Sequence, residues 1–131
     1  MIGLILMAHA GLGRELLAAA EMIVGKIDRA EAVSICPDDK VDAIRGSISA
    51  AMEKVGQDGA LIMTDMFGGT PSNMGLSFLE ENRVEVVTGV NLPMVIQFAS
   101  DRGKLAVTEL AEKLKKCGTD SILVAGDYLK K

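Results

Sequence analysis

Ile2-Gly3-Leu4-Ile5-Leu6-Met7-Ala8-His9-Ala10-Gly11 is an apolar run closed by a histidine and a turn. A run with no polar alternation is the pattern of a strand buried on both faces. The residues after it change period. Leu12, Leu16, Ala19, Ala20 and Ile23 recur at helical spacing, and Gly25 stands where that helix would stop. A buried strand over 2–8 followed by an amphipathic helix over 11–25 is the opening unit of an α/β fold with a parallel sheet.

The unit repeats outward from there. Residues 30–36 read as a second strand, ended by Pro37. A helix capped near Asp39 then carries Val41, Ile44, Ile48, Ala51, Met52 and Val55 on one face. Residues 59–64 form a third buried strand with Asp65 at its end. Phe67-Gly68-Gly69-Thr70-Pro71-Ser72-Asn73 leads into a helix reaching about Glu81, and 84–88 is a fourth strand. Gly89-Val90-Asn91-Leu92-Pro93 turns into a helix over 93–99. A further helix over 104–116 carries Leu105, Leu110 and Leu114, and 121–125 reads as a short fifth strand. The expected fold is a three-layer α/β/α domain with a mainly parallel sheet. Its strand order is 2-1-3-4, with the fifth strand at an edge.

Composition narrows the function. A chain of 131 residues fits one domain, spanning 1–131. A formal charge of −4 argues against a nucleic-acid partner, which calls for a basic surplus. Three Phe, one Tyr and no Trp argue against stacking platforms and flavin grooves. The single histidine, His9, excludes a multi-histidine metal site, so no metal is expected. Cys36 and Cys117 form no C-x-x-C and read as reduced, buried thiols of a cytoplasmic protein. Ala8-His9-Ala10 mimics a signal-cleavage site, but the segment before it lacks a basic lead. No apolar run approaches the roughly 18 residues of a membrane span.

In the 2-1-3-4 order, strands 1 and 3 are neighbours, and the crossovers at that point leave a crevice at their C-terminal ends. His9 ends strand 1 and Asp65 ends strand 3. A neutral imidazole is a nucleophile, and a carboxylate holding one ring N–H fixes the tautomer and leaves the other nitrogen free. Gly68 and Gly69 permit close backbone approach. Thr70 suits an N-cap and Pro71 the first helical turn, and Thr70 and Ser72 add hydroxyls beside a helix start that favours anions. A histidine, a carboxylate and an anion cradle at one crevice point to transient phosphorylation of His9. Neither a Walker loop nor G-x-G-x-x-G is present. No cofactor is therefore expected, and the phosphoryl donor would be another protein.

Ile5-Leu6-Met7-Ala8-His9-Ala10, Thr64-Asp65-Met66-Phe67-Gly68-Gly69-Thr70-Pro71-Ser72-Asn73 and Gly89-Val90-Asn91-Leu92-Pro93-Met94 together resemble the mannose-type enzyme IIA domain of the bacterial sugar phosphotransferase system. The resemblance spans essentially the whole chain. It implies that His9 takes phosphate from the phosphocarrier protein HPr and passes it to a IIB protein, which serves a membrane IIC/IID complex. It implies that Asp65 holds the ring, that Gly68, Gly69, Thr70 and Ser72 lie beside the phosphoryl group, and that the chain is a homodimer. In some members the last strand is exchanged between subunits. With the chain ending near Lys131, the IIB partner is expected to be separate. Many members carry a hydroxyl residue before the histidine and Gly or Ser after it, where this chain has Ala8 and Ala10.

Met7, Met22, Met52 and Met63 read as core residues, whereas Met66, Phe67 and Met94 fall in loops at the His9 end and read as a docking surface for HPr and IIB. Arg14 reads as a solvated helix residue, and Asp38, Asp39 and Asp42 as helix-capping acids. Two other functions remain open at this level. One is a regulatory phospho-acceptor module not coupled to transport. The other is a flavodoxin-like small-ligand binder.

Overall fold

The computed structural model describes residues 1–66, 68 and 70–130, and for 70–72 the backbone alone. Strands β1 (Gly3–His9), β2 (Ala30–Ile35), β3 (Ala60–Thr64) and β4 (Val84–Thr88) alternate with helices α1 (Leu12–Val24), α2 (Val41–Val55) and α3 (Thr70–Leu76). Helices α4 (Leu92–Asp101), α5 (Val107–Asp120) and α6 (Ala125–Leu129) follow. The sheet order is β2-β1-β3-β4 and every pairing is parallel, as expected.

The buried run of β1 supplies both sides of the core by strict alternation. Leu4 and Leu6 pack with Leu61 and Met63 of β3 beneath α1, α4 and α5, against Ala20, Phe98, Leu110 and Leu114. Ile5 and Met7 face the other way, with Ile62 and Ile44, Ile48 and Val55 of α2. Burial of this kind contributes roughly 1.5–3 kcal/mol per large side chain. Gly25 closes α1 in the left-handed region at φ 87. Gly13 lets α1 lie against β1, because a Cβ there would come within 2.9 Å of the Leu6 carbonyl oxygen.

Five local expectations are corrected. No strand forms over 121–125. Ser121 turns back on α5, its N–H and hydroxyl both donating to the Cys117 carbonyl, and α6 begins at Ala125. An apolar triplet is a strand only where a sheet edge receives it. The helix after Gly69 stops at Leu76 rather than near Glu81. The Ser77 hydroxyl bonds the Met74 carbonyl at 2.6 Å, and the amides of 77–79 reach back only three residues. Asp39 does not cap α2. Lys40 occupies that position, and the Asp39 carboxylate accepts the Cys36 N–H at 2.8 Å. Met22 is 83% exposed because it lies opposite the α1 face that buries Gly13 and Ala20, while Met7 and Met63 are in the core. The two thiols are free, but Cys36, just past the end of β2, is exposed and Cys117 half-buried.

Candidate functional site

Parallel pairing in register brings the C-terminal ends of β1 and β3 together: Met7 lies opposite Thr64. β1 runs on through Ala8 and His9, paired with Ser34 and Ile35 of β2, while Asp65 follows directly on β3, and this places His9 beside Asp65. One carboxylate oxygen, Oδ2, receives both the His9 backbone N–H at 3.0 Å and ring Nδ1 at 2.8 Å. The second contact assigns the proton to Nδ1 when the ring is neutral, so Nε2 carries the free lone pair. The His9 side chain is 49% exposed and that of Asp65 12%. The base is therefore anchored in the protein while the ring is open to solvent.

Burial alone would push the Asp65 carboxyl up. The backbone N–H and the ring of His9 outweigh it, and the group is held below the usual carboxylate range. Asp65 is thus an anion at neutral pH. Its second oxygen, Oδ1, is buried and has no hydrogen-bond partner among the described residues, nor has the hydroxyl of Thr64.

The turn between β1 and α1 is tight. Ala10 adopts φ 50, a left-handed conformation that costs an L-residue roughly 1–2 kcal/mol. Its N–H donates to the Ile35 carbonyl at 2.9 Å, which ties the histidine turn to the end of β2. Ala10 and Ile35 both line a cavity of about 400 Å³ beside His9, with Cys36, Pro37 and Ile44 as its other apolar walls and Asp39 as its one acid. Sequence reading missed these residues. The signal was available, since the expected order already put the end of strand 2 next to that of strand 1.

The remaining predicted site residues divide. Gly68 is exposed with φ 84, the positive region that favours glycine. Phe67 and Gly69 lie outside the described residues, as do the side chains of Thr70 and Ser72. Met66 is 54% exposed near His9. Met94 is not on a docking surface. It is 2% exposed in the first turn of α4, where its N–H is bonded by the Asn91 side chain at 3.3 Å. Asn91 also donates to the Gly118 carbonyl at 3.1 Å, so the third motif caps α4 and locks it to α5. Arg14 is exposed, as expected, and lies 3.9 Å from Glu15.

A family model described as PTS system fructose IIA component matches residues 3–115. The chain is 29% identical to the PTS system fructose-specific EIIA component of Bacillus subtilis, covering 100% of this chain and 91% of that one. It is 30% identical to the PTS system sorbose-specific EIIA component of Lacticaseibacillus casei, covering 86% and 83%. A solved mannose/sorbose specific IIA subunit from Enterococcus faecalis superposes with a TM-score of 0.84 at 31% identity, over 94% of this chain and 93% of that one. An EIIA component from Streptococcus agalactiae shares the fold at a TM-score of 0.88 and 21% identity.

Proposed function

The chain belongs to the mannose-type IIA family of the sugar phosphotransferase system, and from that premise we propose that His9 is its phosphoryl acceptor. A IIA component is a phosphotransferase, a carrier of phosphoryl groups between proteins. The observation that carries the assignment is the 2.8 Å contact between His9 Nδ1 and Asp65 Oδ2, which leaves Nε2 free on a half-exposed ring.

In the proposed step the Nε2 lone pair attacks phosphorus on the phosphohistidine of HPr. The new N–P bond forms as the donor's N–P bond breaks, and the donor imidazole leaves with that electron pair. The Nδ1 proton stays in place, so the His9 ring becomes cationic as it takes the phosphoryl group. The Asp65 carboxylate faces that charge and stabilises it. The reverse arrangement hands the group to a IIB protein. Gly68, Gly69, Thr70 and Ser72 are proposed to line the phosphoryl oxygens, a role the family resemblance supports. Met66 and the apolar cavity beside His9 are proposed as the docking surface for HPr and IIB.

We also propose a cytoplasmic homodimer. No helix among the described residues is long and apolar enough to cross a membrane. Strand β4 is a sheet edge bordered by a groove of about 330 Å³. Ile122, Leu123 and Val124 are 76%, 59% and 67% exposed. An apolar triplet and an open edge on one chain are what two copies would exchange. The relatives' names cite fructose, sorbose and mannose, and we propose that the sugar is chosen outside this site.

Incubation with phosphoenolpyruvate, enzyme I and HPr tests the acceptor. Acid-labile, alkali-stable phosphate should appear on the protein and vanish in His9→Ala. Equal labelling of the variant would sink the assignment.

A further inference from the structure

We propose that the end of the sheet opposite His9 holds a second binding site, for a small organic anion with an apolar body, in the cavity shared by Arg102, Lys26, Val24, Ile27, Ile96 and Ala99. The cavity measures about 580 Å³, larger than the one beside His9 and within the usual range of ligand pockets. It lies at the start of β1, where the C-terminal halves of α1 and α4 converge. The seven residues of β1 put about 20 Å between it and His9, so an occupant would leave the phosphoryl site clear.

Arg102 is the unusual feature. It is only 8% exposed, and its guanidinium lies over the Phe98 ring at 4.8 Å. Nε and Nη2 donate to the Ile2 carbonyl at 3.1 and 2.7 Å, and Nη2 also reaches the Arg29 carbonyl at 3.4 Å. Nη1 takes part in none of these bonds. No ion pair among the described residues includes Arg102, and a buried cation held by carbonyl dipoles and a ring face, with no carboxylate in contact, is incompletely compensated. Burial pushes this guanidinium below its ordinary value; Asp28 draws it back up and Arg29 opposes that.

Neighbouring charges deepen the imbalance. The Met1 ammonium and Arg29 both engage Asp58, at 2.7 and 2.6 Å, so that carboxylate is already taken. Lys26 joins none of the ion pairs among the described residues. The lining therefore holds two cations outside any ion pair among the described residues, Lys26 and Arg102, against one acid, Asp28, in a chain whose formal charge is −4. Arg29 is held at φ 51, with its carbonyl shared by Leu4 N–H and Arg102, which keeps this corner fixed in a costly conformation. A carboxylate or phosphate monoester would meet the Arg102 guanidinium and Lys26. Val24, Ile27, Ile96 and Ala99 would cover its carbon chain.

The test is a two-dimensional amide NMR titration of the full chain with hexanoate, hexyl phosphate and neutral hexanol. Saturable shifts centred on Val24, Ile27, Ile96 and Ala99 are expected from at least one anion, and the tighter of the two identifies the headgroup. Hexanol should bind more weakly. Lys26→Gln should weaken the anion by roughly twofold to fivefold, the worth of one exposed ion pair. Ala99→Leu should fill the cavity and remove binding while the spectrum stays folded. Arg102→Gln should also remove it; if that variant unfolds, the other two decide. The proposal is overturned if neither anion gives saturable shifts there, if hexanol matches them, or if Ala99→Leu binds as the wild type does.

Discussion

Asp65 Oδ2 accepts twice from the same residue, from the His9 backbone N–H at 3.0 Å and from its ring Nδ1 at 2.8 Å. The two bonds fix both where the histidine's main chain leaves the sheet and how its ring is turned. One carboxylate therefore sets position, tautomer and charge together.

Asp65→Asn separates those roles. The amide fills the same space but can offer its NH2 to the ring, which favours the wrong tautomer, and it lacks the charge that offsets the phosphorylated ring. Phosphoryl transfer to His9 should slow by about 10–100-fold, the usual cost of losing such a partner. Circular dichroism should be unchanged. Rapid-quench labelling with phospho-HPr checks this; wild-type rates would remove Asp65 from the mechanism.

Acid should destabilise the fold through three carboxyls. Asp65, Asp58 and Asp101 are all held below the ordinary carboxylate value. For Asp58 the Met1 ammonium is the main cause; for Asp101 it is the hydrogen bond from Lys113. A group with a lowered folded pKa binds fewer protons in the native state, so its contribution is complete above the unfolded value of about 3.9 and is lost as pH falls through the folded one. Urea midpoints should be flat near neutrality and drop steadily below about pH 4. Asp101→Asn should flatten that drop, and an unchanged slope would contradict the Lys113–Asp101 pair at 2.8 Å.

Ala10→Gly should not destabilise the protein. Glycine ordinarily costs roughly 1 kcal/mol against alanine through chain entropy, but at φ 50 it relieves a strain of similar size. Ala50→Gly, on the exposed side of α2, is the control and should lose about 1 kcal/mol. Equal losses in thermal unfolding would mean that the Ala10 conformation carries no cost.

Asn91→Ala should lower stability by about 1–2 kcal/mol, because it removes the α4 cap and leaves the Gly118 carbonyl without its donor. Labelling of His9 in the surviving folded protein should proceed at the wild-type rate. A selective loss of labelling would return the third motif to the active site.

Leu123→Asp should convert the proposed dimer to a monomer by charging the exposed triplet, with the His9 region intact. Sedimentation velocity reads the change. A wild-type protein already monomeric at high concentration would refute the exchange.

Much of this was legible in the chain because each signal was local or followed from strand order. The uninterrupted run before His9 matched a strand covered on both sides. The helical periods after it required crossovers, and crossovers in the order 2-1-3-4 put His9 and Asp65 at one switch point. Errors arose where a local pattern had two uses. Ile122-Leu123-Val124 has strand chemistry but no edge within its own chain. Met94 follows a loop motif, yet Asn91 caps the helix at that point and turns the methionine inward against Gly118.

Sequence alone thus determined the layer order and the meeting of His9 with Asp65, because hydrophobic period and parallel connection leave few topologies. Only the tertiary structure decided which nitrogen of His9 is free, how the Ala10 turn is strained against β2, and that Arg102 is buried outside any ion pair among the described residues. Those depend on the particular contacts made between elements far apart in the chain, such as Ala10 with Ile35 and Ile2 with Arg102, which strand order alone does not fix.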